Sequence, residues 1–169
     1  MDAASPMSFE AVPARGKDDA MKKTAAAAAM VAAMLVAGLG HAAEHQIRMV
    51  GEGPDGDMAF EPAFVHAAPG DTIRFVPVDG YHNAETIRSM FPDGAEGFKG
   101  GIGEDFTVTL GEAGVYPVMC KSHYALGMVA LVVVGDIPDA QTLARAVAGP
   151  HPLKAKAAFA RILETIPHE

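Results

Sequence analysis

Cys120, His123 and Met128 fall within nine residues, in the order Cys-x2-His-x4-Met, between two apolar runs. Thiolate, imidazole and thioether are all polarizable donors, and together they suit copper better than any other common metal, because Cu(I) prefers sulfur. One more imidazole would complete a His₂Cys set with a weak axial Met, the arrangement of electron-transfer copper sites. His82, about forty residues earlier, supplies it from a loop of its own. A metal that passes single electrons needs ligands that hold still in both oxidation states, so the fold must fix them. Four filled positions leave no open site for a substrate, and an enzyme is therefore not expected.

Asn83 follows His82 directly, and a polar side chain there can tie the two ligand loops together and tune the sulfur. The other histidines, His41, His45, His66, His151 and His168, have no partner at ligand spacing and read as solvated. Met119 alternates with Cys120 and so points to the opposite side, into a core. Met49, Met58 and Met90 read as packing.

The elements that must carry these residues are mostly strands. From Ala43 onward, short alternating runs are broken by Gly, Pro and Asp at the spacing of a sandwich or barrel. His45 to Gly51, Met58 to His66, Thr72 to Val76, Ala84 to Ile87, Asp105 to Leu110 and Val115 to Cys120 read as extended. Pro62 marks an edge or bulge in the second of these, since proline cannot donate to a ladder. Gly127 to Val134 is nearly continuous in apolar residues, as in a strand covered on both sides. Arg88 to Gly103 reads as an irregular loop pinned by Met90, Phe91 and Phe98. Past Gly135 the composition shifts, and two amphipathic helices are predicted, Ala140 to Ala148 and Pro152 to about Ile166.

Residues 1–42 read as an N-terminal extension and secretory signal peptide. Lys22 and Lys23 precede an Ala/Met/Val/Leu run of 17 residues, and Gly40-His41-Ala42 offers a cleavage site near Ala42. That run is shorter than the roughly 20 residues needed to span a bilayer. About 127 residues then remain, enough for one domain, with 43–135 as a β-sandwich and 136–169 as its helical extension. The leader holds four basic and four acidic groups, so the net charge of −8 stays with the rest of the chain. Such a balance disfavours nucleic acid and anionic membrane as partners. The single cysteine cannot form an internal disulfide, and with His123 and Met128 beside it a metal-held thiolate is expected.

The segments Gly56-Asp57-Met58-Ala59-Phe60-Glu61-Pro62, Pro69-Gly70-Asp71-Thr72, His82-Asn83-Ala84-Glu85-Thr86-Ile87, Pro92-Asp93-Gly94-Ala95-Glu96, Gly114-Val115-Tyr116 and His123-Tyr124 through Gly127-Met128-Val129 resemble the cupredoxins, and within them the pseudoazurin family. The resemblance covers essentially the whole chain after the leader, including the two C-terminal helices, which plastocyanins lack. It implies an all-β, cupredoxin-like Greek-key sandwich of about eight strands. It also implies one type 1 copper ion bound by His82, Cys120, His123 and Met128. Members of that family are periplasmic one-electron carriers, exported by the Sec route. They take electrons from c-type cytochromes and give them to copper nitrite reductase or related reductases. They dock through an apolar patch around the histidine corresponding to His123, ringed by lysines. No membrane contact and a monomeric state are expected. Periplasmic copper storage or delivery is the alternative, though the segment after the leader lacks the exposed Met/His cluster that such a role favours.

Two departures from the family pattern stand out. Its Cys-Thr-Pro-His loop is Cys120-Lys121-Ser122-His123 here, so an N–H replaces a proline and a hydrogen bond from Ser122 to the sulfur is expected. Its Lys-Gly before the histidine is Gly80-Tyr81, which removes a basic group from the docking rim and adds an aromatic.

Overall fold

Period-two burial in the N-terminal half and unbroken burial in one late strand set the layer order of this molecule. A computed structural model describes residues 42–53, 56–88 and 90–167. The expected leader lies outside them apart from Ala42, as do His41 and His168.

Eight strands form two sheets. They are β1 (Glu44–Gly53), β2 (Gly56–Glu61), β3 (Phe64–Ala67), β4 (Thr72–Pro77), β5 (Glu85–Thr86), β6 (Phe106–Thr109), β7 (Gly114–Met119) and β8 (Val129–Val134). One sheet has the order β2-β1-β4-β6 and the other β3-β8-β7-β5. Pairs β1/β4 and β3/β8 are parallel, and the remaining pairs are antiparallel. The segment Met58 to His66, expected as a single extended run, is divided between the two sheets. Its break falls at Pro62 and Ala63, where the missing proline N–H cannot continue a ladder. That break lets β3 leave the sheet of β1 and β2 and pair with β8.

Between the sheets lies the main core. Ile47, Met49, Phe60, Ile73 and Phe75 come from one sheet, and Tyr116, Val118, Ala130 and Val132 from the other. Phe75 is the hub of an aromatic cluster, with ring centroids 6.1 Å from Phe60, 5.6 Å from Phe98 and 6.4 Å from Phe106. Phe98 belongs to the irregular loop, which is how that loop is held down. Tyr116 is buried to its hydroxyl, which donates to the Glu112 carbonyl at 2.7 Å and so leaves no stranded donor.

Helices α1 (Ala140–Ala146) and α2 (Leu153–Thr165) cover the outer face of the second sheet. The Asp139 side chain caps α1 by accepting from Thr142 N at 2.9 Å. Ala155, Ala158, Phe159 and Ile162 form the buried stripe of α2. This makes β8 a shared wall. Its Ala130, Val132 and Val134 face the main core, while Val129, Leu131 and Val133 pack under the helices, and all six are buried. No helix of the described residues is long and apolar enough to cross a membrane.

Candidate metal centre

The β7–β8 ladder runs past its last paired residues into the ligand loop. Met119 pairs with Val129, and the next rung is formed by Cys120 N donating to the Met128 carbonyl at 3.1 Å. Cys120 and Met128 therefore face each other at the base of the loop, both fully buried in the main core. Met119 packs on the opposite side, toward the helices, as alternation requires. Within the loop, His123 N donates to the Cys120 carbonyl at 3.2 Å, and the His123 carbonyl accepts from Leu126 N at 2.9 Å and Met128 N at 3.3 Å. A 3-10 turn (Tyr124–Leu126) ends at Gly127, whose φ of 98° is cheap only for glycine. A Cβ at Gly127 would also lie 3.1 Å from the Lys154 carbonyl oxygen, so α2 abuts the loop here.

His82 arrives from the connection after β4. Its carbonyl accepts from Gly103 N at 2.7 Å, which ties this connection to the irregular loop. Its Nε2 lies 3.1 Å from Asp79 Oδ1, and the same oxygen accepts from Gly51 N at 2.7 Å. A carboxylate can only accept, so Nε2 carries a proton, and in the neutral ring this leaves Nδ1 as the free donor atom. Asn83 spans the two ligand connections, its Oδ1 accepting from Lys121 N at 2.9 Å.

His82 Nδ1, Cys120 Sγ and one nitrogen of His123 lie within 4.8 Å of one another. The two Nδ1 atoms are 3.1 Å apart, and Cys120 Sγ is 3.6 Å from His123 Nδ1. Two imidazole nitrogens converging to that separation fit one cation about 2 Å from each, the length of an ordinary metal–imidazole bond. Burial, then the neighbouring His82, holds His123 below the usual histidine range, which keeps its lone pair free at neutral pH. With a cysteine sulfur beside them and a thioether at the loop base, the donors fit copper rather than zinc. His82 is 1% exposed, whereas His123 alone of the four reaches the surface.

Soft donors buried at one end of a two-sheet sandwich define the blue-copper class of electron carriers. Comparison with known proteins agrees and narrows the class. Residues 47–135 match the profile of copper binding proteins of the plastocyanin/azurin family. The pseudoazurin of Paracoccus pantotrophus is 50% identical over 113 residues, covering 67% of this chain and 78% of that protein. That of Methylorubrum extorquens is 45% identical over 122 residues, covering 72% and 82%. Among solved structures, the pseudoazurin of Methylobacterium extorquens AM1 superposes with a TM-score of 0.67 at 41% identity over 73% of this chain and 99% of that one. For the pseudoazurin of Hyphomicrobium denitrificans the values are 0.67, 32%, 75% and 100%. The chain belongs to the pseudoazurins, within the plastocyanin/azurin family. These are cupredoxins that carry electrons on copper as redox partners of other proteins, and they are not enzymes.

Sequence reasoning missed Asp79. An Asp-Gly pair reads as turn chemistry, and only the fold shows that its carboxylate reaches both β1 and His82. The hydrogen bond expected from Ser122 N–H to the sulfur is not among those found in the described residues, where the sulfur's partner is His123. His45, His66 and His151 stay outside the donor cluster, but each has a definite partner rather than only solvent. His45 Nε2 meets Asp71 Oδ2 at 2.9 Å, His66 Nε2 donates to the Gly135 carbonyl at 2.6 Å, and His151 bonds Tyr124 and Val147.

Proposed function

We propose that this protein carries single electrons on one copper ion held by His82, Cys120, His123 and Met128. The observation that carries this reading is the convergence of two imidazole nitrogens and a cysteine sulfur at the end of a rigid strand pair, with only His123 of the four side chains reaching the surface. Copper, when bound, supplies the Cu(II)/Cu(I) couple. The chain does the rest. Cys120 and Met128 share a ladder rung, so the two sulfur donors cannot drift apart. His82 is oriented by Asp79, and His123 offers its ring edge as the route by which an electron enters or leaves. Full burial of Cys120 and Met128 favours a retained ion, which supports carriage over storage or delivery.

The finer reading follows the family. Residues 1–42 direct Sec export, cleavage falls near Ala42, and residues 43–135 with their extension 136–169 work in the periplasm. Electrons come from a c-type cytochrome and pass to a reductase such as copper nitrite reductase. Tyr81 is 78% exposed beside His82, and Leu126 is 48% exposed within the ligand loop. Both give the site an apolar rim suited to brief protein contacts. Loading the purified protein with Cu(II) tests the site: an intense thiolate-to-copper absorption in the visible is expected, and Cys120→Ser abolishes it. A wild-type protein that stays colourless overturns the copper reading.

A further inference from the structure

The ligand loop is held from outside as well as from its base. Tyr124, next to His123, donates its hydroxyl to Nδ1 of His151, and His151 Nε2 donates to the Val147 carbonyl at 2.7 Å. That carbonyl stands at the C-terminal end of α1, where orphan acceptors need partners. The imidazole ring also packs on Phe159 of α2, with centroids 5.2 Å apart. A single side chain, in the connection between the helices, thus touches the loop and both helices at once. Lys154, three residues later, closes on Gly127 at the other end of the same 3-10 turn.

We propose that His151 is a positioning residue for the copper-ligand loop, acting through Tyr124 to keep His123 and Met128 fixed between oxidation states. This rests on the reading of those two residues as ligands. An imidazole suits the task because it can accept at one nitrogen while donating at the other, linking a hydroxyl to a carbonyl. The Tyr124 ring is partly buried, and His151 Nδ1 is the partner found for its hydroxyl among the described residues. The two helices are then part of the redox site, and not only a cover for the sheet.

Amide hydrogen exchange on the full chain tests this with and without copper. In the metal-free protein, Tyr124→Phe and His151→Ala each raise exchange at Leu126, Gly127 and Met128 roughly tenfold, the factor expected for one lost hydrogen bond. His151→Gln, whose carboxamide keeps one acceptor and one donor, restores rates close to wild type. Ile73→Val, a core truncation on β4, leaves those three amides unchanged. In the copper-loaded protein, His151→Ala slows electron self-exchange several-fold and shifts the Cu(II) hyperfine splitting, and His151→Gln reverses both. Wild-type loop exchange in both Tyr124→Phe and His151→Ala overturns the proposal, as does wild-type self-exchange in a copper-loaded His151→Ala protein. Failure of the wild type to take up copper is a separate result, which sinks the metal reading.

Discussion

Asp79 shows how one carboxylate sets the state of a ligand it does not replace. By accepting from His82 Nε2 it leaves Nδ1 free, and by accepting from Gly51 N it is itself held to β1. Outer partners of metal-bound histidines typically contribute 10- to 100-fold in metal affinity. Asp79→Ala is therefore expected to weaken copper about 10- to 100-fold, read by competition titration against a chelator, with secondary structure unchanged by circular dichroism. Gly51 belongs to the same device, because a Cβ there would fall 2.8 Å from Asp79 Oδ1. Cys120, His123 and Met128 could be proposed as ligands because donor chemistry and spacing are local properties of a short loop, and His82 because that donor set calls for one more imidazole. Asp79 and His151 were not, because each acts through a partner that only the tertiary fold brings near. No hydrogen bond from Ser122 N–H to the sulfur is found among the described residues, and an N–H in the right place along the chain need not point at the sulfur.

Among the elements, β8 has the most to lose. Val132 faces the main core and Val133 the helices, so a cavity on either side weakens a wall that both cores use. Val132→Ala should cost about 2 to 3 kcal/mol in urea unfolding, from the lost methyls and the residual cavity. At the far end of β1, Asp71 joins strand to turn. Hydrogen bonds from His45, Ala68 N and Ala43 N hold its pKa at about 2, below the ordinary 3.8. A carboxyl lowered on folding contributes stability above its unfolded pKa and loses it as pH falls toward the folded one. The advantage in Tm of wild type over Asp71→Asn should thus be full above pH 4 and shrink between pH 4 and 2 in thermal melts. The strands themselves were readable from alternation and the doubly covered strand from its unbroken apolar run. The division at Pro62 was not, since a proline within an extended run does not say which sheet each half will join.

At the scale of the whole molecule, 13 basic residues stand against 21 acidic ones. The exposed aromatic Tyr81 occupies a rim position where the family pattern has a small residue, and Lys121 is the exposed cation within the ligand loop. Long-range attraction then favours a basic redox partner, while the contact itself is apolar. The second-order electron-transfer rate with such a partner should fall by up to about tenfold as salt is raised from low to physiological strength, measured by stopped flow. A rate that rises with salt would instead indicate an acidic partner. The parallel pairing of β3 with β8 has a kinetic consequence. Phe64 lies opposite Leu131, so the second sheet is not complete until nearly all of the sandwich has been synthesised. Distant pairings of this kind delay the folding nucleus and place such domains among the millisecond-to-second folders. The second sheet therefore stays open until its last strand is available, and the ligand loop, which that strand closes, is among the final parts to form.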